Sequence, residues 1–144
     1  MSDKGYVFLE HTADAYIKAW GKTFEDAFAQ SGLAFTDVIT DLKYVTPKIE
    51  KKIVVTGEDI YFLLYNWLDE LLYTFSVEQL IFSKIHVEKI EHINSYYKLS
   101  AICYGEVFDI NKHPPEVEVK GVTFNLMKIE EKNNQIVLYF VLDI

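Results

Sequence analysis

Residues 60–75 have the sequence IYFLLYNWLDELLYTF, the most strongly periodic apolar segment of the chain. Its large apolar side chains recur at spacings of three and four residues: Ile60, Leu63, Leu64, Trp67, Leu68, Leu71, Leu72 and Phe75. That period places them on one wide stripe of an α-helix, and such a stripe is stable in water only when it is buried. The sequence therefore predicts a core helix over residues 59–76, covered by the rest of the chain.

A second helix is predicted over residues 24–40. Apolar side chains again follow helical spacing there, at Phe24, Ala27, Phe28, Phe35, Val38 and Ile39. Thr23 precedes this segment as an N-cap, and Asp26 stands three residues later, so the start approximates a capping box.

The remaining apolar segments have the pattern of strands. They occupy residues 6–10, 16–20, 48–56, 80–90, 96–107, 117–129 and 135–142. Asparagine-containing turns at 92–95 and 131–134 join later strands as hairpins, and residues 109–116 are predicted to be a surface loop. Two helices with at least six strands predict a single α+β domain over residues 1–144, in which the two principal helices cover a mainly antiparallel or mixed sheet.

Length and composition fit one packed core. The chain has 144 residues, of which 50% are hydrophobic, and this leaves no room for a second domain. The longest apolar run, at 136–142, is far shorter than the roughly 20 residues of a membrane-spanning helix, and no leader pattern opens the chain. We therefore expect a cytoplasmic protein without membrane contact. The one cysteine, Cys103, lies in a strand pattern and is predicted to be a buried structural thiol.

The charge argues against nucleic acid as a direct partner. The formal net charge is −8, and a polyanion is repelled by an acidic domain. All 14 basic residues are lysines, so the arginine fork that grips phosphate bidentately is absent. Direct, stable RNA binding is not expected.

Two short segments carry residues suited to a metal site, whereas common catalytic motifs are missing. The turn at 11–14 (HTAD) places His11 and Asp14 three residues apart, and at the end of the chain Asp143 adjoins the terminal carboxylate of Ile144. Hard divalent cations such as Ca²⁺, Mg²⁺ or Mn²⁺ prefer oxygen ligands of this kind. The alternative interpretation is that Asp14 caps backbone amides in its turn, while Asp143 faces water or a lysine.

Some other polar and aromatic residues allow two interpretations. Trp67, Tyr65 and Tyr73 could form a binding platform, but aromatic side chains at helical spacing belong more often to a core. His113, beside two prolines, is interpreted as a contact residue or simply as an exposed loop residue.

Five segments resemble the archease family, in family order over essentially the whole chain. They are residues 8–14 (FLEHTAD), 21–28 (GKTFEDAF), 64–73 (LYNWLDELLY), 112–124 (KHPPEVEVKGVTF) and 141–144 (VLDI). The resemblance implies an accessory protein and not an enzyme. Archeases assist the GTP-dependent RNA ligase that joins tRNA halves in tRNA splicing, by promoting guanylylation of the ligase histidine and repeated turnover.

The resemblance also implies roles for particular residues. The family's divalent metal, with Ca²⁺ as the first expectation, is held at positions that match Asp14, Asp143 and the Ile144 terminus. His11 lies in the same motif and is implied as a supporting residue near the site. Lys120 matches a family lysine that matters for function.

Two positions qualify this picture. Lys120 also permits a structural role, in which it pairs with Glu118 or Glu106. Many archaeal members of the family carry a histidine where this chain has Asn125, which weakens any functional role for that position.

Two other classes of function remain open. A metal-dependent phosphohydrolase would use Asp14 and Asp143, but it needs cationic groups to hold phosphate, and only Lys120 is an obvious candidate. A general protein or RNA chaperone predicts exposed apolar patches or a basic face, and the sequence shows no basic face.

Overall fold

The computed structural model of the protein describes residues 3–9 and 14–144. The strands in these residues are β1 (Gly5–Leu9), β2 (Ala15–Gly21), β3 (Ile49–Gly57), β4 (Leu80–Ile93), β5 (Tyr96–Val107), β6 (Gly121–Lys132) and β7 (Gln135–Asp143). The α-helices are α1 (Phe24–Ile39) and α2 (Ile60–Glu78), and a short 3-10 helix covers Leu42–Tyr44. The α+β class with two principal helices is confirmed.

The strands form two antiparallel sheets. One sheet has the order β1-β2-β7-β6 and the other has the order β3-β5-β4. Both helices contact both sheets: α1 packs on β2 and β4, and α2 packs on β3 and β6. One cluster of buried side chains joins the helices and both sheets, so each layer covers the apolar face of another.

Local chemistry explains where the helices begin and why they stay buried. Thr23 accepts a hydrogen bond from the Asp26 amide at 3.1 Å, as the predicted N-cap requires. Trp67 is fully buried, and its indole N–H donates to the carbonyl of Phe28 at 3.0 Å, which links the two helices. The core interpretation of this tryptophan is therefore confirmed. In the described part of the chain, no helix is both long enough and apolar enough to cross a membrane.

Both asparagine turns are confirmed, because Asn94, Asn133 and Asn134 have φ values of 53°, 53° and 63°. Cys103 is fully buried, and burial raises the pKa of its thiol to about 12, so the thiol stays protonated.

The sequence-based prediction of a strand over residues 117–129 places the start of that strand too early. β6 starts at Gly121, and residues 117–120 lie in a loop, of which the Lys120 amide alone bonds to a strand, at the Asp143 carbonyl. Val119 is nevertheless buried, so the alternation of apolar and polar residues there reflects loop packing and not a ladder.

Candidate functional site

The strand register brings Asp14 and Asp143 to the same end of the four-stranded sheet. β2 and β7 are antiparallel, and Ala15 lies opposite Leu142. Asp14 directly precedes Ala15, and Asp143 directly follows Leu142, so the two aspartates adjoin the last paired residues of β2 and β7. Opposed residues on antiparallel neighbours have Cα atoms about 4.5 to 5.5 Å apart, so the residues that adjoin the Ala15–Leu142 pair are held at the same end of the sheet. We call this place the carboxylate edge.

The carboxylate of Asp143 is open to ligands. Phe140 and Leu142 point into the core, so Asp143, an odd number of residues away, lies on the opposite face and is exposed. Within residues 3–9 and 14–144, its carboxylate takes part in no hydrogen bond or ion pair. Asp14 is half-buried.

The last residues of the chain are held firmly at this edge. Asp143 lies opposite Gly121 of β6, and its carbonyl accepts a hydrogen bond of 2.7 Å from the Lys120 amide. The Ile144 side chain packs against the core. The main chain of Ile144 therefore stays beside the Asp143 side chain and does not fray.

Lys120 lies next to the carboxylate edge, and it forms no ion pair with any residue in 3–9 or 14–144. It is exposed and directly precedes β6. Glu106 is taken by other partners, so the predicted structural pairing with Lys120 is wrong for this residue. The carboxylate of Glu106 forms ion pairs with Lys48 at 3.6 Å, Lys112 at 2.7 Å and His113 at 2.8 Å. Pairing with Glu118 is likewise not seen among the described residues.

The described residues do not contain a complete metal site made of side chains. No group of three or more His, Cys, Asp or Glu side chains is placed to hold a metal within residues 3–9 and 14–144. Asp14 and Asp143 supply two carboxylates, and the third ligand of the sequence-based prediction is the main-chain carboxylate of Ile144. His11, the predicted supporting residue, lies outside the described residues. Metal binding at the carboxylate edge therefore stays a prediction.

His113 is buried, so its interpretation as an exposed loop residue or a contact residue is wrong. The Asp109 amide donates to Nδ1 at 2.9 Å, which leaves Nε2 as the protonated nitrogen. Nε2 donates to Oε2 of Glu106 at 2.8 Å. A fully buried imidazole is stable here because both ring nitrogens have partners.

Glu106 is the centre of this polar cluster, which sequence analysis missed. Its side chain is almost fully buried, and burial alone would raise its pKa. Hydrogen bonds from Lys112, the Thr46 amide and His113, with the charge of Lys112, instead lower the pKa to about 2. The signal in the sequence was a carboxylate inside the strand pattern of residues 96–107, because a carboxylate that is buried in a sheet needs partners.

The cluster fastens one end of the loop that leads to the carboxylate edge. Farther along this loop, the Thr40 hydroxyl donates to the Pro114 carbonyl at 2.9 Å, and the Glu116 amide donates to the Ile39 carbonyl at 2.9 Å. The Lys120 amide bond to Asp143 fastens the other end. The loop therefore runs as an ordered strap from β5 of one sheet to the edge of the other.

Comparison with known proteins shows the family to which the chain belongs. Residues 6–144 match the Archease protein family (MTH1598/TM1083). The chain belongs to the archease family. A protein archease from Pyrococcus furiosus is 46% identical over 121 residues, which cover 84% of each chain.

Two solved structures share the fold of this family member. The solution structure of protein 1598 from Methanobacterium thermoautotrophicum has a TM-score of 0.85 and 36% identity, and covers 97% of this chain and 99% of its own. The crystal structure of a Thermotoga maritima protein, described as an archease and possible chaperone, has a TM-score of 0.58 and 16% identity, with 94% of each chain covered. At that identity the second structure shows the fold alone.

Proposed function

We propose that this protein is an accessory factor of a GTP-dependent tRNA-splicing RNA ligase and not an enzyme itself. In this proposal it binds a divalent cation at the carboxylate edge and promotes guanylylation of the ligase histidine and repeated turnover in the cytoplasm. One observation supports the proposal: the strand register pairs Ala15, the neighbour of Asp14, with Leu142, the neighbour of Asp143, in a chain of the archease family.

The chemistry of the carboxylate edge suits a hard cation. Ca²⁺ takes oxygen ligands at about 2.3 to 2.6 Å, and carboxylates are its usual protein ligands. Asp14, Asp143 and the Ile144 carboxylate offer three such groups, which repel one another when no cation lies between them. Ca²⁺ is our first candidate, with Mg²⁺ and Mn²⁺ as alternatives. When bound, the metal supplies positive charge that can orient phosphate oxygens.

The charge of the protein supports docking on a ligase and not on RNA. A net charge of −8 attracts the cationic surface of an active site that accepts GTP and RNA. Without arginine the protein has no bidentate phosphate grip of its own. In this proposal the ligase provides the nucleophile, and the accessory protein presents Asp14 and Asp143, with Lys120 beside them.

The test follows the covalent guanylate adduct of a cognate ligase incubated with labelled GTP and this protein. Wild type should speed adduct formation, whereas Asp14→Asn and Asp143→Asn should lower the rate at least about tenfold, the effect of losing a charge-assisted contact. The matched control is Asp69→Asn, an exposed aspartate on α2, and it should stimulate fully. Addition of two residues after Ile144 should also lower the rate, because it removes the terminal carboxylate from this position.

Full stimulation by folded Asp14→Asn and Asp143→Asn would remove the carboxylate edge from the mechanism. The two other functional classes are tested with the purified protein alone. Phosphate release from GTP that disappears in Asp143→Asn would favour the phosphohydrolase. Suppression of aggregation of unrelated proteins, without any effect on the ligase, would favour the chaperone.

A further inference from the structure

Several large apolar side chains stand exposed where α2 meets β6. Phe124 stacks on Tyr65 with ring centroids 4.4 Å apart, and Phe62 meets Phe124 edge-on at 5.1 Å. Leu126 follows two residues later on β6. Phe62, Phe124 and Leu126 remain 41%, 45% and 46% exposed, although the rings contact each other. We call these four residues the apolar patch.

The backbone under the apolar patch is irregular. The pairing of β6 with β7 is interrupted between Thr123 and Lys128, and Leu126 has a φ of 59°. The left-handed region is unfavourable for leucine, whereas glycine or asparagine adopts it readily. Interruptions of this kind re-aim side chains, and backbone strain persists where the surroundings enforce it, often at functional sites. Here the strained backbone presents a leucine to solvent.

The apolar patch adjoins the carboxylate edge. Gly121 of β6 lies opposite Asp143, and Phe124 follows three residues later. At about 3.3 Å per residue, this places Phe124 roughly 10 Å along the strand from the carboxylate edge. Asp143 points away from the core and Phe124 contacts α2, so the two places lie on opposite faces of the edge strand β6, and a partner that closes over this edge contacts both.

The rim of the apolar patch is acidic. Glu58 and Asp59 are exposed at the start of α2, just before Phe62. Lys128, at the end of the interruption, is ion paired with Glu130 at 3.4 Å. Exposed aromatic rings surrounded by carboxylates fit an apolar socket that is flanked by lysine and arginine.

This charge pattern distinguishes between occupants. Single-stranded RNA uses aromatic stacking together with a positively charged groove, which an acidic rim does not provide. A second copy of this chain would bring its own acidic rim and its own charge of −8 against the first. A basic protein partner meets neither obstacle.

We propose that the apolar patch is the docking surface for the ligase, which it contacts through an apolar socket flanked by basic side chains beside the ligase active site. This inference rests on the proposed function and assigns different roles to the apolar patch and the carboxylate edge. The apolar patch supplies affinity, and the carboxylate edge acts on the reaction once the two proteins are bound.

The experiment separates affinity from maximal effect. The guanylylation rate is measured against the concentration of wild type, Phe124→Thr, Leu126→Asn and the control Val54→Thr, an exposed apolar residue on β3 of the other sheet. Both patch variants should raise the half-saturating concentration, by about tenfold for Phe124→Thr, and leave the maximal rate unchanged. Asp143→Asn should show the opposite pattern, and Val54→Thr should match wild type.

Leu126→Asn keeps the test independent of folding. Asparagine tolerates the left-handed conformation, so the melting temperature should stay equal to that of wild type or rise. Wild-type half-saturating concentrations for both folded patch variants would overturn the proposal.

Direct binding to the ligase, measured by calorimetry with chelator present, separates this inference from the proposed function. If wild type binds without stimulating, the proposed function fails, and weaker binding by Phe124→Thr still supports the apolar patch. The patch proposal is overturned if Phe124→Thr binds the ligase as tightly as wild type does, or if wild type does not bind the ligase. Sedimentation gives a further test. If wild type is a dimer, Phe124→Thr is a monomer and both bind the ligase equally, the occupant of the apolar patch is a second copy of this chain and the patch proposal is overturned.

Discussion

Two acidic places in this protein differ in how their carboxylates are partnered. Glu106 is 3% exposed and is bound by Lys112, His113 and the Thr46 amide. Asp143 is exposed, and its carboxylate has no partner among residues 3–9 and 14–144. Both residues lie near the ends of strands, so sequence position alone does not distinguish them.

The difference shows how partners, and not residue type, decide the role of a carboxylate. A buried carboxylate with several donors cannot bind anything else without leaving those donors unsatisfied, so the Glu106 cluster is structural. An exposed carboxylate at a fixed strand end loses no internal bond when it binds a cation. The strap from β5 to β6 connects the two places, so the Glu106 cluster holds one end of the loop that leads to the carboxylate edge.

The largest effect is expected for Glu106→Ala. This change leaves the buried His113 without its acceptor and should lower the free energy of unfolding by about 3 to 5 kcal/mol, as is usual when one member of a buried pair is removed. Urea unfolding followed by circular dichroism measures it. The control Glu50→Ala, at an exposed position on β3, should stay within about 0.5 kcal/mol of wild type. Equal urea midpoints for Glu106→Ala and Glu50→Ala would show that the Glu106 cluster does not stabilise the fold.

Acid should weaken the same cluster in a defined range. The pKa of Glu106 falls from its ordinary value of 4.5 to about 2 on folding, so its contribution is complete above pH 4.5 and is lost as the pH drops towards 2. That contribution is roughly 2 to 4 kcal/mol. The free energy of unfolding of wild type minus that of Glu106→Gln should therefore shrink over this range. A difference independent of pH would contradict the lowered pKa.

At the carboxylate edge we expect a smaller effect, which depends on metal. Ca²⁺ at a hundred times its dissociation constant should raise the free energy of unfolding of wild type by about 2.7 kcal/mol. Asp143→Asn should lose most of this gain, yet in chelator it should lie within about 0.5 kcal/mol of wild type. Thermal melts in Ca²⁺ and in chelator make the comparison. A variant that melts well below wild type in chelator would show that Asp143 is structural.

Much of the secondary structure could be predicted because its causes are local. Apolar spacing predicted both helices, and α1 (Phe24–Ile39) and α2 (Ile60–Glu78) begin and end within two residues of the expected positions. Asparagine predicted the hairpin turns because it adopts positive φ. Local alternation also misled, since residues 117–119 alternate as a strand does but lie in a loop.

The sequence by itself determined the helix periods, the turn residues, the acidic charge without arginine, and the family motifs that mark Asp14 and Asp143. Which strands are neighbours, and in which register, depends on tertiary structure, and this register brings Asp14 and Asp143 to the same end of the sheet. Tertiary structure also decided that His113 is buried against Glu106 and that Leu126 is held exposed in a left-handed conformation. Periods and turns depend on neighbours along the chain, whereas register, burial and backbone strain depend on contacts between distant segments.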